Sequence, residues 1–173
     1  MTLTLFDRDL TKVQTLRTIL NDSTFIRTTC SELRDLPTHD YLVSPGNSYG
    51  IMDGGFDLAV RNLFGQSIQD NLQWYIASKL HGRLPVGDIA FISTNREQFK
   101  QMIYIPTMEI PQKIYEEDIY LIFVKLFRVL KTINTEFSHL TTVACPLLGC
   151  GAGGIPVDVT AKIIKKVTDD FLL

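Results

Sequence analysis

Val43-Ser44-Pro45-Gly46-Asn47-Ser48-Tyr49-Gly50-Ile51-Met52-Asp53-Gly54-Gly55-Phe56-Asp57-Leu58-Ala59-Val60 is the stretch on which the reading of this chain turns. It starts in the apolar run Tyr41-Leu42-Val43, which reads as a buried parallel strand. It ends in Phe56, Ala59, Val60, Leu63 and Phe64, spaced to occupy one face of a helix. Across the junction, from Ser44 to Asp57, lie four glycines, a proline, an asparagine and two aspartates. Glycines at such a junction let main-chain N–H groups approach a ligand closely, and a helix N-terminus behind them favours negative charge. The unit is therefore either a cradle for phosphate or pyrophosphate or a loop whose glycines only meet turn geometry.

A second loop of the same kind follows late in the chain. Leu140 to Cys145 reads as a strand that runs into Pro146-Leu147-Leu148-Gly149-Cys150-Gly151-Ala152-Gly153-Gly154-Ile155-Pro156. A final helix follows, with Ile163, Ile164, Val167 and Phe171 facing inward and Pro156 near its first turn. Elsewhere strands and helices alternate. Thr2 to Phe6 alternates as a first strand, and Thr11-Lys12-Val13-Gln14 reads as a capping box before Val13, Leu16, Ile19 and Leu20, closed by Asn21-Asp22. Phe25 to Cys30 reads as a second strand and Ser31 to Asp40 as a polar connection. Gly65 breaks the helix after the first loop, and a further helix runs to Leu80 with Ile68, Leu72, Ile76 and Leu80 inward and Trp74 and Tyr75 as packing residues. Ile89 to Ser93 is expected to pair antiparallel with Met102 to Ile105 across a polar loop from Asn95, with Pro106 and Pro111 bracketing the next loop. Ile119, Ile122, Phe123, Leu126, Val129, Leu130 and Ile133 mark a long core helix.

This alternation implies a mostly parallel sheet covered on both faces, in which ligands sit beyond the carboxyl ends of the strands. Both glycine-rich loops follow strands, so both fall on that edge, and a shared anion-binding cleft is the favoured reading.

Composition sets the bounds. The 173 residues, 45% hydrophobic and 21% charged, fit one globular domain. A net charge of −2 with interspersed Lys and Arg leaves no basic stripe, which argues against a nucleic-acid binder. No apolar run reaches a membrane span and no secretory signal opens the chain, so a cytoplasmic or nuclear setting is expected. Three cysteines make no disulfide framework, and with His39, His81 and His139 scattered they supply no metal motif. Cys145 and Cys150 are expected as packed or loop residues. Metal-independent, cofactor-free chemistry is the expectation.

The two loops together resemble those of the macro domain family, which surround ADP-ribose. The likeness covers roughly residues 24–172, and Gly82 to Thr94 followed by Met102 to Pro106 resembles the family's central strand pair. The form Val-Ser-Pro-Gly-Asn-Ser-Tyr-Gly with Gly-Gly-Phe-Asp, at 43 to 57, is similar to the fungal ADP-ribose 1″-phosphate phosphatases and related bacterial proteins. That branch carries an extra N-terminal strand and helix, which residues 1–23 supply here beside a core at 24–173. The resemblance implies a single three-layer α/β/α macro domain with a mostly parallel mixed sheet.

It also implies roles. Asn47 falls on the second Asn of the family's Asn-Ala-Ala-Asn motif and should contact the ribose next to the reacting phosphate. Gly54, Gly55 and Phe56 match the glycine run against which the diphosphate lies, and Asp57 matches a catalytic Asp of members that hydrolyse protein-linked ADP-ribose. Gly149, Cys150, Gly151, Ala152, Gly153, Gly154 and Ile155 match the second phosphate loop, with Leu148 before it. Ser44, Gly46, Ser48 and Tyr49 complete the first as ligand contacts. Three positions depart from the pattern. Ser44 stands for the first Asn, Asp53 replaces the first glycine of a triple, and the Gly-Asp-Ile that binds adenine is missing, with Glu32 or Asp35 as substitutes. The implied ligand is ADP-ribose or its 1″-phosphate. Asp57 is expected to position or deprotonate water, with Asp53 as the alternative base, since a nearby phosphate would disfavour its ionised form. Two other functions fit the same residues: removal of ADP-ribose from modified macromolecules, and non-enzymatic binding of ADP-ribose. A dehydrogenase fits poorly, because the spacing is not Gly-x-Gly-x-x-Gly.

Overall fold

A computed structural model describes residues 1–21, 23–136 and 141–172, without the side chains of the last two. Asp22, His139 and Leu140, and the side chain of Phe171, therefore lie outside the described residues.

Six strands form one sheet: β1 (Thr2–Asp7), β2 (Ile26–Cys30), β3 (His39–Asn47), β4 (Ala90–Ser93), β5 (Phe99–Met108) and β6 (Thr142–Pro146), in the order β2-β1-β6-β3-β5-β4. All neighbours are parallel except β4 and β5. The helices are α1 (Leu10–Ile19), α2 (Gly55–Phe64), α3 (Gln66–Lys79), α4 (Glu116–Glu136) and α5 (Val157–Leu172). Side chains alternate across the sheet as the strand period requires. Leu5, Val43, Ile103 and Val143 pack on one face under α1, α4 and α5, while Leu42, Met102, Tyr104 and Ala144 pack on the other under α2 and α3. Three layers result, as expected from the alternation of elements. Among the described residues no helix is long and apolar enough to cross a membrane.

Several local expectations need correction. Asp9, not Thr11, caps α1: its backbone is extended (φ −88°, ψ 111°) and its carboxylate accepts the Thr11 N–H at 2.8 Å. The polar connection 31–40 contains a short 3-10 turn at Leu33–Asp35 that buries Leu33 and Leu36. On α2 the inward positions are Asp57, Val60 and Phe64, and Ala59 faces solvent. Trp74 is 65% exposed, because it lies two residues beyond the buried Leu72 and so on the opposite side of α3. The loop after Ser93 is shorter than expected, since β5 begins at Phe99. Pro106 does not bracket a loop either, because it lies inside β5. The missing amide is tolerated there: β4 pairs only with Gln101 to Tyr104, which leaves that side of Pro106 without a strand neighbour.

β1 is not an appendage of the sheet. It lies between β2 and β6, with Phe6 opposite Pro146. Strand order reverses here: the chain moves from β1 outward to β2, and from β3 to the far edge strand β4 and back to β5, with β6 closing the middle. The carboxyl ends of β1, β6, β3 and β5 thus meet along one edge, where ligands of open α/β sheets sit.

Candidate functional site

A cleft of about 370 Å³ opens along that edge. Its walls are the loop from β3 into α2, the loop from β6 toward α5, the end of β5 and the junction of β1 with α1.

The first wall is held by Asn47. Its side-chain oxygen accepts the N–H groups of Tyr49 (3.1 Å) and Ile51 (3.2 Å), and its amide donates to the Ile51 carbonyl at 2.7 Å. Three of its hydrogen-bonding positions thus shape the 47–51 turn, and one amide hydrogen remains for a ligand. Gln69 on α3 accepts the Met52 N–H at 2.8 Å and ties the far end of the turn down. Gly55 takes a left-handed φ of 55° to start α2. The backbone amides of Asp53, Gly54, Gly55, Phe56 and Asp57 make no hydrogen bond to a described residue, as expected of a first helical turn.

The second wall repeats the device. The amides of Cys150, Gly154 and Ile155 are used inside the loop, bonding Leu147, Gly151 and Gly149 carbonyls, while those of Gly151, Ala152 and Gly153 have no described partner. Two kinds of glycine are present. A Cβ on Gly149 would meet Ile119 at 2.8 Å, and one on Gly153 would meet the Gly149 carbonyl at 2.7 Å, so the fold itself excludes side chains there. Gly54 and Gly151 are different. A Cβ on either would meet nothing within 4 Å, and Gly54 has an extended backbone (φ −149°, ψ 163°) that any residue adopts. Their side-chain positions open into the cleft.

Asp57 is the buried charge of the site. It lies 8% exposed on the inner face of α2, and period-2 alternation places Ser44 on the sheet face beneath it. The Ser44 hydroxyl, fully buried, donates to Asp57 Oδ1 at 3.3 Å. Burial raises the carboxyl pKa to about 8; the Ser44 bond opposes that rise and the charge of Asp53 adds to it. Asp57 is therefore mostly a neutral acid at neutral pH. Asp53 is exposed on the same wall. Cys150 lines the second wall, its thiol 3.2 Å from the Thr160 hydroxyl and pushed up in pKa by burial, so it is a poor nucleophile. Cys145 is fully buried.

Of the residues singled out from sequence, Gly46, Asn47, Asp53, Gly54, Gly55, Phe56, Asp57, Gly149, Cys150, Gly151, Ala152 and Gly153 line the cleft. The others do not. Ser44 stands behind Asp57. Ser48 is buried, its backbone bonded to Glu109 and Leu84, and the Tyr49 hydroxyl bonds the Glu109 carboxylate at 3.1 Å. Leu148 and Ile155 are core residues, and Gly154 turns behind the loop with φ 75°. Glu32 and Asp35 are exposed beyond the end of β2, the edge strand, and neither reaches the cleft. Sequence reasoning missed Asp7, Lys12, Pro45, Ile51, Thr107, Met108, Pro111, Pro146 and Leu147 as lining residues. Asp7 had a signal: it closes the first alternating strand, and parallel strands deliver their last residues to the ligand edge.

Comparison with known proteins agrees with this architecture. A family model, the Macro domain, matches residues 43–164. An uncharacterized protein of Aquifex aeolicus is 29% identical over 132 residues, 76% of this chain and 74% of that protein. The macrodomain of Mycobacterium tuberculosis DarG shares the fold with a TM-score of 0.67 at 20% identity, covering 82% of this chain and 88% of that one. A variant of the Oceanobacillus iheyensis macrodomain, solved with ADPR, gives a TM-score of 0.68 at 19% identity, covering 82% and 75%.

Proposed function

The chain belongs to the macro domain family, and on that premise we propose that it binds ADP-ribose and hydrolyses ADP-ribose 1″-phosphate to ADP-ribose and phosphate. The observation that carries this reading is the pair of unbonded amide runs, 53–57 and 151–153, in one cleft with the buried carboxyl of Asp57. Free amides favour an anionic ligand, and their fixed dipoles stabilise charge on phosphoryl oxygens during transfer. The ADPR held by the Oceanobacillus relative supports the ligand class. The likeness of residues 43–57 to the phosphatase branch supports the ester.

In this mechanism water attacks phosphorus and the bond from phosphorus to the ribose 1″ oxygen breaks. That oxygen takes its proton from Asp57, which burial keeps neutral and the Ser44 hydroxyl orients, and the phosphate product takes the proton of the attacking water. The spare amide hydrogen of Asn47 meets a ribose hydroxyl, and Asp53 orients the water.

Calorimetry with ADP-ribose, followed by phosphate release from ADP-ribose 1″-phosphate, tests the reading. Binding with release, lost in Asp57→Asn, is the expected result. Undiminished release by Asp57→Ala, or none by the wild type, overturns the phosphatase. Binding without release leaves the same cleft to an ADP-ribose reader or to an enzyme acting on ADP-ribosylated macromolecules.

A further inference from the structure

The segment matched by the family model begins at residue 43, yet Asp7 and Lys12 line the cleft. Both belong to the β1–α1 unit, which the sheet places directly beside β6 and its loop. Asp7 is the last residue of β1, and Lys12 sits in the first turn of α1 behind the Asp9 cap. One Asp7 oxygen accepts the Asp9 N–H at 2.9 Å. The other lies 3.5 Å from the Lys12 ammonium, longer than the roughly 2.8 Å of a tight charge-assisted bond. Both charges bear on the thiol of Cys150, so the pair lies beside the second loop, whose amides at 151–153 are unbonded.

Charge makes Lys12 necessary. The cleft is lined by three carboxyl groups, Asp7, Asp53 and Asp57, and by one cationic side chain among the described residues. Backbone amides offer partial charges, but only Lys12 offers a full one to a ligand with two phosphates. A lysine ammonium on a four-carbon stem can change partners without moving the backbone. Resting on the ADP-ribose reading above, we propose that Lys12 is the counter-ion of the ligand's diphosphate. Asp7 is its positioning residue, which holds the ammonium at the cleft wall until the diphosphate displaces it.

The test is calorimetric titration of ADP-ribose, at low and high salt, into the wild type, Lys12→Ala, Lys12→Arg and Asp7→Asn. Lys12→Ala is expected to bind at least about tenfold more weakly, with a flatter salt dependence and an unchanged thermal midpoint, because it removes an attraction that salt screens. Lys12→Arg keeps the charge and should stay within about threefold of the wild type. Asp7→Asn should bind more tightly, since no carboxylate then competes for the ammonium. Wild-type affinity and salt dependence in Lys12→Ala overturn the proposal, as does an equal loss in the Ala and Arg variants. A wild type that does not take ADP-ribose overturns the functional reading instead. The same titration with inorganic pyrophosphate then decides Lys12 alone: binding that Lys12→Ala weakens upholds it, and any other result sinks it.

Discussion

The Tyr104 hydroxyl accepts the Asn47 N–H at 3.0 Å and donates to the carbonyl of the same residue at 2.9 Å. One side chain of β5 thus bonds both main-chain groups of the residue where β3 leaves its register, at the irregularity between Gly46 and Asn47. Tyr104 is fully buried beneath the loop, and a Cβ on Gly46 would collide with its ring and hydroxyl. The first glycine of the loop is therefore fixed by a tyrosine of the core.

Tyr104→Phe should lower stability by about 1–3 kcal/mol, because it orphans the buried Asn47 N–H and leaves its carbonyl only the longer bond from the Gly50 N–H. Gly46→Ala should also destabilise, by about 1–3 kcal/mol, through overpacking against the ring. Denaturant titration checks both. ADP-ribose affinity should fall with them, since Asn47 shapes the cleft wall.

The glycines make opposite predictions. Gly54→Ala and Gly151→Ala should leave the denaturation midpoint within about 0.5 kcal/mol of the wild type, because neither Cβ meets another atom. Both should weaken ADP-ribose binding at least tenfold by filling the ligand's approach. Gly153→Ala should instead unfold more easily, its methyl pressed against the Gly149 carbonyl and Ile114. Equal behaviour of the three variants would contradict the division.

Asp57 makes stability depend on pH in a direction that surface carboxylates do not. Its folded pKa of about 8 lies above the ordinary value of 3.8, so between those limits the folded chain holds a proton that the unfolded chain has lost. Its contribution is complete below about pH 4 and is lost as pH rises through 8. The slope approaches 1.4 kcal/mol per pH unit at most, roughly the value of one proton. In Asp57→Asn this component should vanish, which denaturant midpoints across pH 4–9 will show.

Under the proposed mechanism the same group should set the pH dependence of phosphate release. An acid that must be protonated gives an alkaline limb near pH 8. Ser44→Ala removes a bond that favours the charged form, so the limb should move upward by roughly half a pH unit to one. A downward movement would assign Asp57 a different role.

The strand–loop–helix at 41–64 was legible because each part carries its own local signal: an apolar run, glycines, then a 3.6-residue period. The sheet order followed from that alternation only as a class. Nothing local says that β1 pairs with both β2 and β6, because the pairing is decided by which faces must be covered. Ser44 illustrates the limit at the site. As a residue of the first loop it was expected to touch ligand, yet its place on the strand period turns it toward α2, where Asp57 occupies an inward position. Apolar periodicity had assigned that inward face to Ala59, since a carboxylate is not expected inside unless a function retains it. Lys12 was hidden for another reason: a basic residue in a first helical turn looks like solvated surface until the strand beside it is known.

The position of β1 between β2 and β6 has a consequence for how the chain assembles. Thr2 pairs with Thr142, so two neighbouring strands of the ligand edge are made at widely separated times during synthesis. Until β6 emerges, β1 has only β2 beside it, and the apolar edge that will receive β6 stays unpaired. Loop closure between such distant strands comes late and slows folding. The second glycine-rich loop, which leaves β6, is thus the last wall to form, and a nascent chain acquires the cleft only when its sheet closes.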